Sequence, residues 1–99
     1  MLTKEDILDQ IRKNEEMLKR YGVRRISIFG SYSRDEQRED SDIDIIVEFE
    51  EGKKSFDNFI SLAFFLEDLF KKRVDLLTPE SISPYIRPYV NEEIIYERL

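Results

Sequence analysis

The stretch from Asp42 to Phe49 alternates sharply, with Ile43, Ile45, Val47 and Phe49 on one side and Asp42, Asp44, Ile46 and Glu48 on the other. A period of two marks a strand with one face in the core and excludes a helix there. The rest of the chain therefore has to supply a cover for that apolar face. On the opposite face, Asp42 and Asp44 stand two residues apart, so both carboxylates leave on the same side.

The neighbouring segments read as the cover and its partners. Thr3 to Tyr21 is expected to form an amphipathic helix, capped by Thr3 with Asp6 three residues on and ended by Gly22. Ile7, Leu8, Ile11, Leu18 and Tyr21 would make its apolar side. Arg24 to Phe29 is short, β-branched and bounded by glycines, which predicts a strand. Glu50 to Lys54 forms a turn, and Ser55 to Lys71 a second helix whose stripe of Phe56, Phe59, Ile60, Ala63, Leu66 and Phe70 is assigned to the core. Arg73 to Leu77 reads as a third strand, stopped by Thr78-Pro79, and Asn91 to Arg98 as a last short helix. The order α-β-β-α-β-α with short connections implies an α/β (α+β) domain, a small mixed sheet flanked by helices. Residues 1–99 are expected to form one domain, since 99 residues leave room for one modest core.

Composition narrows the chemistry. The chain contains no cysteine and no histidine, so thiolate zinc sites, cysteine nucleophiles and imidazole bases are excluded, and a bound metal would be a hard cation held by oxygen. A net charge of −6 argues against direct nucleic-acid binding and against anionic membrane surfaces. No apolar run approaches the length of a membrane span, and the polar N-terminus is no signal peptide. The expected location is the cytoplasm.

Three local features carry the candidate chemistry. Gly30-Ser31 directly follows a predicted strand, where glycine lets the backbone turn tightly and approach a ligand. A short helix starting at Ser31 would aim free N–H groups at an anion, although Gly-Ser is also an ordinary turn. Asp42 and Asp44 gain nothing structural from lying side by side, and a divalent cation between them would remove their repulsion. They also read as solvated acids guarding an edge strand. Asp75 lies between the apolar Val74 and Leu76, where an unpaired charge is expensive. It would either pair with Arg73 or join Asp42 and Asp44 in a three-carboxylate site, if its strand is adjacent to theirs.

Gly30-Ser31, Arg34 and the following Asp42-Ile43-Asp44 resemble the signature of the DNA-polymerase-β-like nucleotidyltransferases, most closely the minimal nucleotidyltransferases that act as antitoxins beside HEPN-domain toxins. The resemblance spans nearly the whole chain, including Arg73-Val-Asp75-Leu-Leu-Thr78-Pro79 and the tail Ser83 to Tyr89. It implies metal ligands and catalytic acids at Asp42, Asp44 and Asp75, with nucleotide triphosphate held by Gly30, Ser31 and Arg34. It implies two Mg²⁺ ions, with Mn²⁺ as a substitute, and ATP as the donor. Many members carry glycine after the arginine, where this chain has Asp35, which puts a Cβ and a negative charge beside the phosphate loop.

The function implied is transfer of AMP from ATP to a hydroxyl, tyrosine above all, of a HEPN toxin. The alternative is an antitoxin that neutralises its partner by binding alone. With no second domain to clamp an acceptor, orientation would come from a docked protein. The tail tyrosines Tyr85, Tyr89 and Tyr96 offer either such a docking surface or closure of the core.

Overall fold

The computed structural model describes residues 2–85 and, as backbone, residues 95–98. The N-terminal segment folds as predicted up to its middle. Helix α1 (Lys4–Lys13) is held by a capping box in which Thr3 Oγ1 accepts from the Asp6 N–H at 3.2 Å and Asp6 Oδ2 accepts from the Thr3 N–H at 2.9 Å. The helix then breaks at Asn14, whose backbone leaves helical geometry (φ −110°, ψ 20°) and whose side-chain amide donates to the Gln10 carbonyl at 2.8 Å. Helix α2 (Glu15–Arg20) follows at once. The break lets Ile7, Ile11 and Leu18 all be fully buried under the sheet, with Leu8 and Tyr21 packed at the margin.

Strands β1 (Val23–Phe29) and β2 (Ile43–Phe49) form an antiparallel pair, interrupted near Val23 by a register shift. Helix α3 (Phe56–Phe70) starts on Ser55, whose Oγ accepts from the Asn58 N–H at 3.1 Å, and ends at Lys71 in the left-handed region. It crosses back to β3 (Val74–Leu77), which runs parallel to β2. The last described element is β4 (Ile95–Arg98), antiparallel to β1, so the sheet is mixed with the order β3-β2-β1-β4. This corrects the expected final helix: residues 95–98 are a strand, while 91–94 and Tyr89 lie outside the described residues. Among the described residues no helix is long and apolar enough to cross a membrane.

The three helices cover one face of the sheet. Ile26, Ile28, Ile43, Ile45 and Val47 project there into a core shared with Leu62, Leu66 and Phe70. The stripe assigned to the core on α3 is corrected at two positions: Phe56 is 78% exposed, and Ile60 is half-buried outside the core cluster that takes Phe59, Ala63, Leu66 and Phe70. Phe56 lies on the first turn of α3, while Leu62, absent from the predicted stripe, is fully buried. The other face of the sheet is partly open. A second small cluster, Ile46 and Ile82 with Phe29 and Leu77, covers part of it. Beside that cluster the acids remain in reach of solvent.

Candidate active site

The open face is laid out by strand register. Phe29 on β1, Asp44 on β2 and Asp75 on β3 are Cα partners in one row across the sheet, and Ser27, Ile46 and Leu77 form the next. Adjacency of β2 and β3, left open by the sequence, is thus met. Asp42 lies immediately before β2, at its N-terminal end. Asp75 is exposed rather than buried beside Val74 and Leu76, because β3 is an edge strand and turns only the odd-numbered side chains outward. The expected burial cost at Asp75 therefore does not arise.

Arg73 takes a partner other than Asp75. Its Nε stands 3.3 Å from Asp42 Oδ1, so the acid at the head of β2 is tied to the residue that leads into β3. Neither the spacing of Asp42 nor that of Arg73 signals this pair, since it depends on the parallel pairing of strands remote in sequence. Among the described residues no group of three acids is drawn together closely enough to hold an ion as it stands.

Asp44 lies at the centre of the electrostatics. Burial first, then the charges of the neighbouring Asp75 and Asp42, raise its pKa against the opposing Arg34 from the ordinary 3.8 to about 6. Asp44 thus feels both neighbouring carboxylates, and Arg34 is near enough to act on it.

The turn after β1 presses on that same carboxylate. Gly30 adopts φ +71°, and a Cβ at this position would overlap the Asp44 carboxyl group. Glycine is required here twice over, for its backbone conformation and for the close approach. Gly30–Arg34 is a 3-10 turn whose start no side chain caps. Ser33 Oγ donates back to the Gly30 carbonyl at 2.6 Å, and Tyr32 is wholly buried, so the turn is fixed to the core from beneath. Ser31 stays partly exposed at its head, and Arg34 Nε contacts Glu36 Oε2 at 3.1 Å.

Asp35, the departure from the usual glycine, occupies the left-handed region (φ 57°, ψ 33°). That conformation explains a preference for glycine, and aspartate is among the few other residues that tolerate it. Its carboxylate faces Lys4 Nζ at 3.2 Å, so the added charge is matched by a cation from α1.

The nucleotidyltransferase domain model matches residues 10–98. A Thermococcus cleftensis protein named protein adenylyltransferase MntA is 44% identical over 97 residues, which cover 97% of each chain. Among solved structures, one described as a "putative minimal nucleotidyltransferase" superimposes with a TM-score of 0.76 at 34% identity, covering 95% of both chains. A crystal structure of a toxin-antitoxin with AMP-PNP aligns with a TM-score of 0.66 at 27% identity, over 96% of this chain and 72% of that one. With the match spanning nearly all of its length, this chain belongs to the nucleotidyltransferase domain family.

Proposed function

We propose that this chain is a protein adenylyltransferase that moves AMP from ATP onto a hydroxyl, a tyrosine above all, of a HEPN-domain toxin and so acts as its antitoxin. The observation that carries this reading is the row formed by the Gly30 turn, Asp44 and Asp75, with Asp42 at its margin. It joins a loop able to approach phosphate to a set of three carboxylates. The similarity to the adenylyltransferase MntA and to the toxin-antitoxin structure holding AMP-PNP supports both the donor and the class of acceptor.

The donor atoms suit Mg²⁺. Asp42, Asp44 and Asp75 offer only hard oxygen ligands, in a chain without histidine or cysteine. The raised pKa of Asp44 reflects its burial first and then the charges of Asp75 and Asp42, a repulsion that a divalent cation would relieve. For all three to take part, Asp42 has to turn from Arg73 toward Asp44. Once bound, two ions would polarise the α-phosphate and neutralise the departing pyrophosphate.

The remaining roles fall to the protein. Gly30 and Ser31 receive the triphosphate on the uncapped 3-10 turn, and Arg34 offsets its charge. The acceptor oxygen attacks the α-phosphorus in line, its new P–O bond forming as the bond to pyrophosphate breaks. Asp75, the most exposed of the acids in the row, takes the proton from the acceptor hydroxyl.

The test is a transfer assay with ATP labelled at the α-phosphate and the purified HEPN partner. Asp42→Asn combined with Asp44→Asn is expected to abolish labelling of the partner and to leave the circular dichroism spectrum unchanged. A collapsed fold would make these acids structural and place the site elsewhere.

A further inference from the structure

Strand order separates the two flanks of the candidate centre. Asp44 has the β1 turn on one side and Asp75, on the edge strand β3, on the other. A triphosphate seated on the Gly30 turn leaves the β3 flank for the acceptor. That flank is not flat. A groove of about 480 Å³ opens between the first turn of α3 and the end of β3, its lining on β3 starting at Leu76, the residue after Asp75. Phe56, Phe59, Leu76 and Leu77 give it an apolar lining, with Thr78 and Ser81 at one side. Leu77 ties the groove to the open face, because it lies two residues from Asp75 on the same side of the strand.

The chemistry of the groove narrows what fills it. Phe56, 78% exposed at its mouth, is a large apolar side chain left in water, as at sites that bind another surface. Lys54 on the lip is already paired with Glu80 at 3.0 Å, so no unmatched charge there selects a charged group. Two of the three outward N–H groups of β3 are occupied as well: Val74 donates to Glu67 Oε2 at 3.1 Å and Thr78 to Ser81 Oγ at 3.2 Å. An added strand would find most of those donors taken, so side chains have to supply most of the grip. Toward Asp75 the surface turns acidic, in a chain of net charge −6, which favours a basic partner over a second copy of this chain.

We infer that this groove anchors the acceptor protein. An uncharged apolar or aromatic side chain of a basic partner segment seats against Phe56 and Phe59, and a hydroxyl a few residues away on the same segment reaches Asp75. The inference rests on the transfer reading above and adds where the acceptor is held. Fixing the segment at a second point supplies the orientation that in-line attack needs.

Phe56→Glu tests it, since so exposed a side chain can be changed without opening the core. With the purified HEPN partner, labelled ATP and Mg²⁺, the KM for the partner is expected to rise about tenfold or more. At saturating partner, kcat should stay within about twofold, and the thermal shift given by Mg²⁺ with ATP should be unchanged. Normal transfer with an unaltered KM would overturn the groove while leaving the transfer reading intact. If instead Phe56→Glu only turns a dimer into a monomer by light scattering, the groove joins copies of this chain and the inference is wrong. Absence of labelling by the unaltered chain would be a failure of the transfer reading itself, and it would remove this inference too.

Discussion

Asp44 is the residue where fold and candidate chemistry pull against each other. Burial and two neighbouring acids hold its pKa at about 6 instead of 3.8, so the folded state binds its proton more tightly than the unfolded chain does. The stability this provides is complete below the unfolded value and is lost as pH rises through about 6. Asp44→Asn removes the cost of ionisation. At about pH 8 and without metal, the variant is expected to be more stable by about 1–3 kcal/mol, and the difference should close toward about pH 4. Chemical denaturation across that range checks it, and an Asn variant less stable at every pH would mean that Asp44 is held by favourable contacts. The pair Asp42 and Asp44 was legible in the sequence because strand alternation alone puts both acids on one side. The contact of Gly30 with Asp44 was not, because it depends on β1 lying beside β2. Arg73 was legible as a candidate partner but for the wrong acid: its mate is Asp42, a pairing set by the parallel crossover.

Among the elements, β3 shows how a short edge strand is kept from pairing further. It runs parallel to β2, and the Ile43 N–H donates to the Arg73 carbonyl at 3.0 Å. By that ladder, the peptide groups of Asp75 and Leu77 face β2 and those of Val74, Leu76 and Thr78 face outward. Glu67 from the last turns of α3 takes the outward N–H of Val74, linking the helix to the strand it precedes. Glu67→Ala is expected to cost about 1 kcal/mol and to make the protein associate at high concentration. Thermal melts with light scattering would show both, and unchanged behaviour would mean that water replaces the carboxylate without loss. Elements with strong local patterns were readable from sequence: the capped start of α1, the alternation of β2 and most of the stripe of α3. The break at Asn14 was not, because no proline or glycine marks it. The four residues of β4 were read as helix because their ladder lies on β1, some seventy residues away, and so short a run carries no period of its own. Phe56 was read as core because apolar periodicity does not tell a buried face from a surface left for a partner.

At the scale of the whole molecule, the acids and the Gly30 turn meet on the open side of the sheet, with the helices behind. If that is where nucleotide binds, metal and ATP should stabilise the fold jointly, since each reduces the charge the other confronts. Mg²⁺ with ATP is expected to raise the melting temperature more than the sum of either alone, approaching about 2.7 kcal/mol at a hundredfold excess over Kd. Asp75→Asn should reduce the joint effect, and no shift in either protein would remove the nucleotide reading. Asp35 departs from the glycine that many members of the family carry beside the phosphate loop. With Asp35 in the left-handed slot and matched by Lys4, that departure leaves the turn intact. The most direct measurement weighs the intact HEPN partner by mass spectrometry after incubation with this chain, Mg²⁺ and ATP, and reads its toxicity alongside. The expected result is a gain of one or more whole AMP units together with silencing, both lost with Asp42→Asn. A partner that never gains mass, yet is silenced equally by the Asp42→Asn protein, would show that binding is the function and that AMP transfer is not.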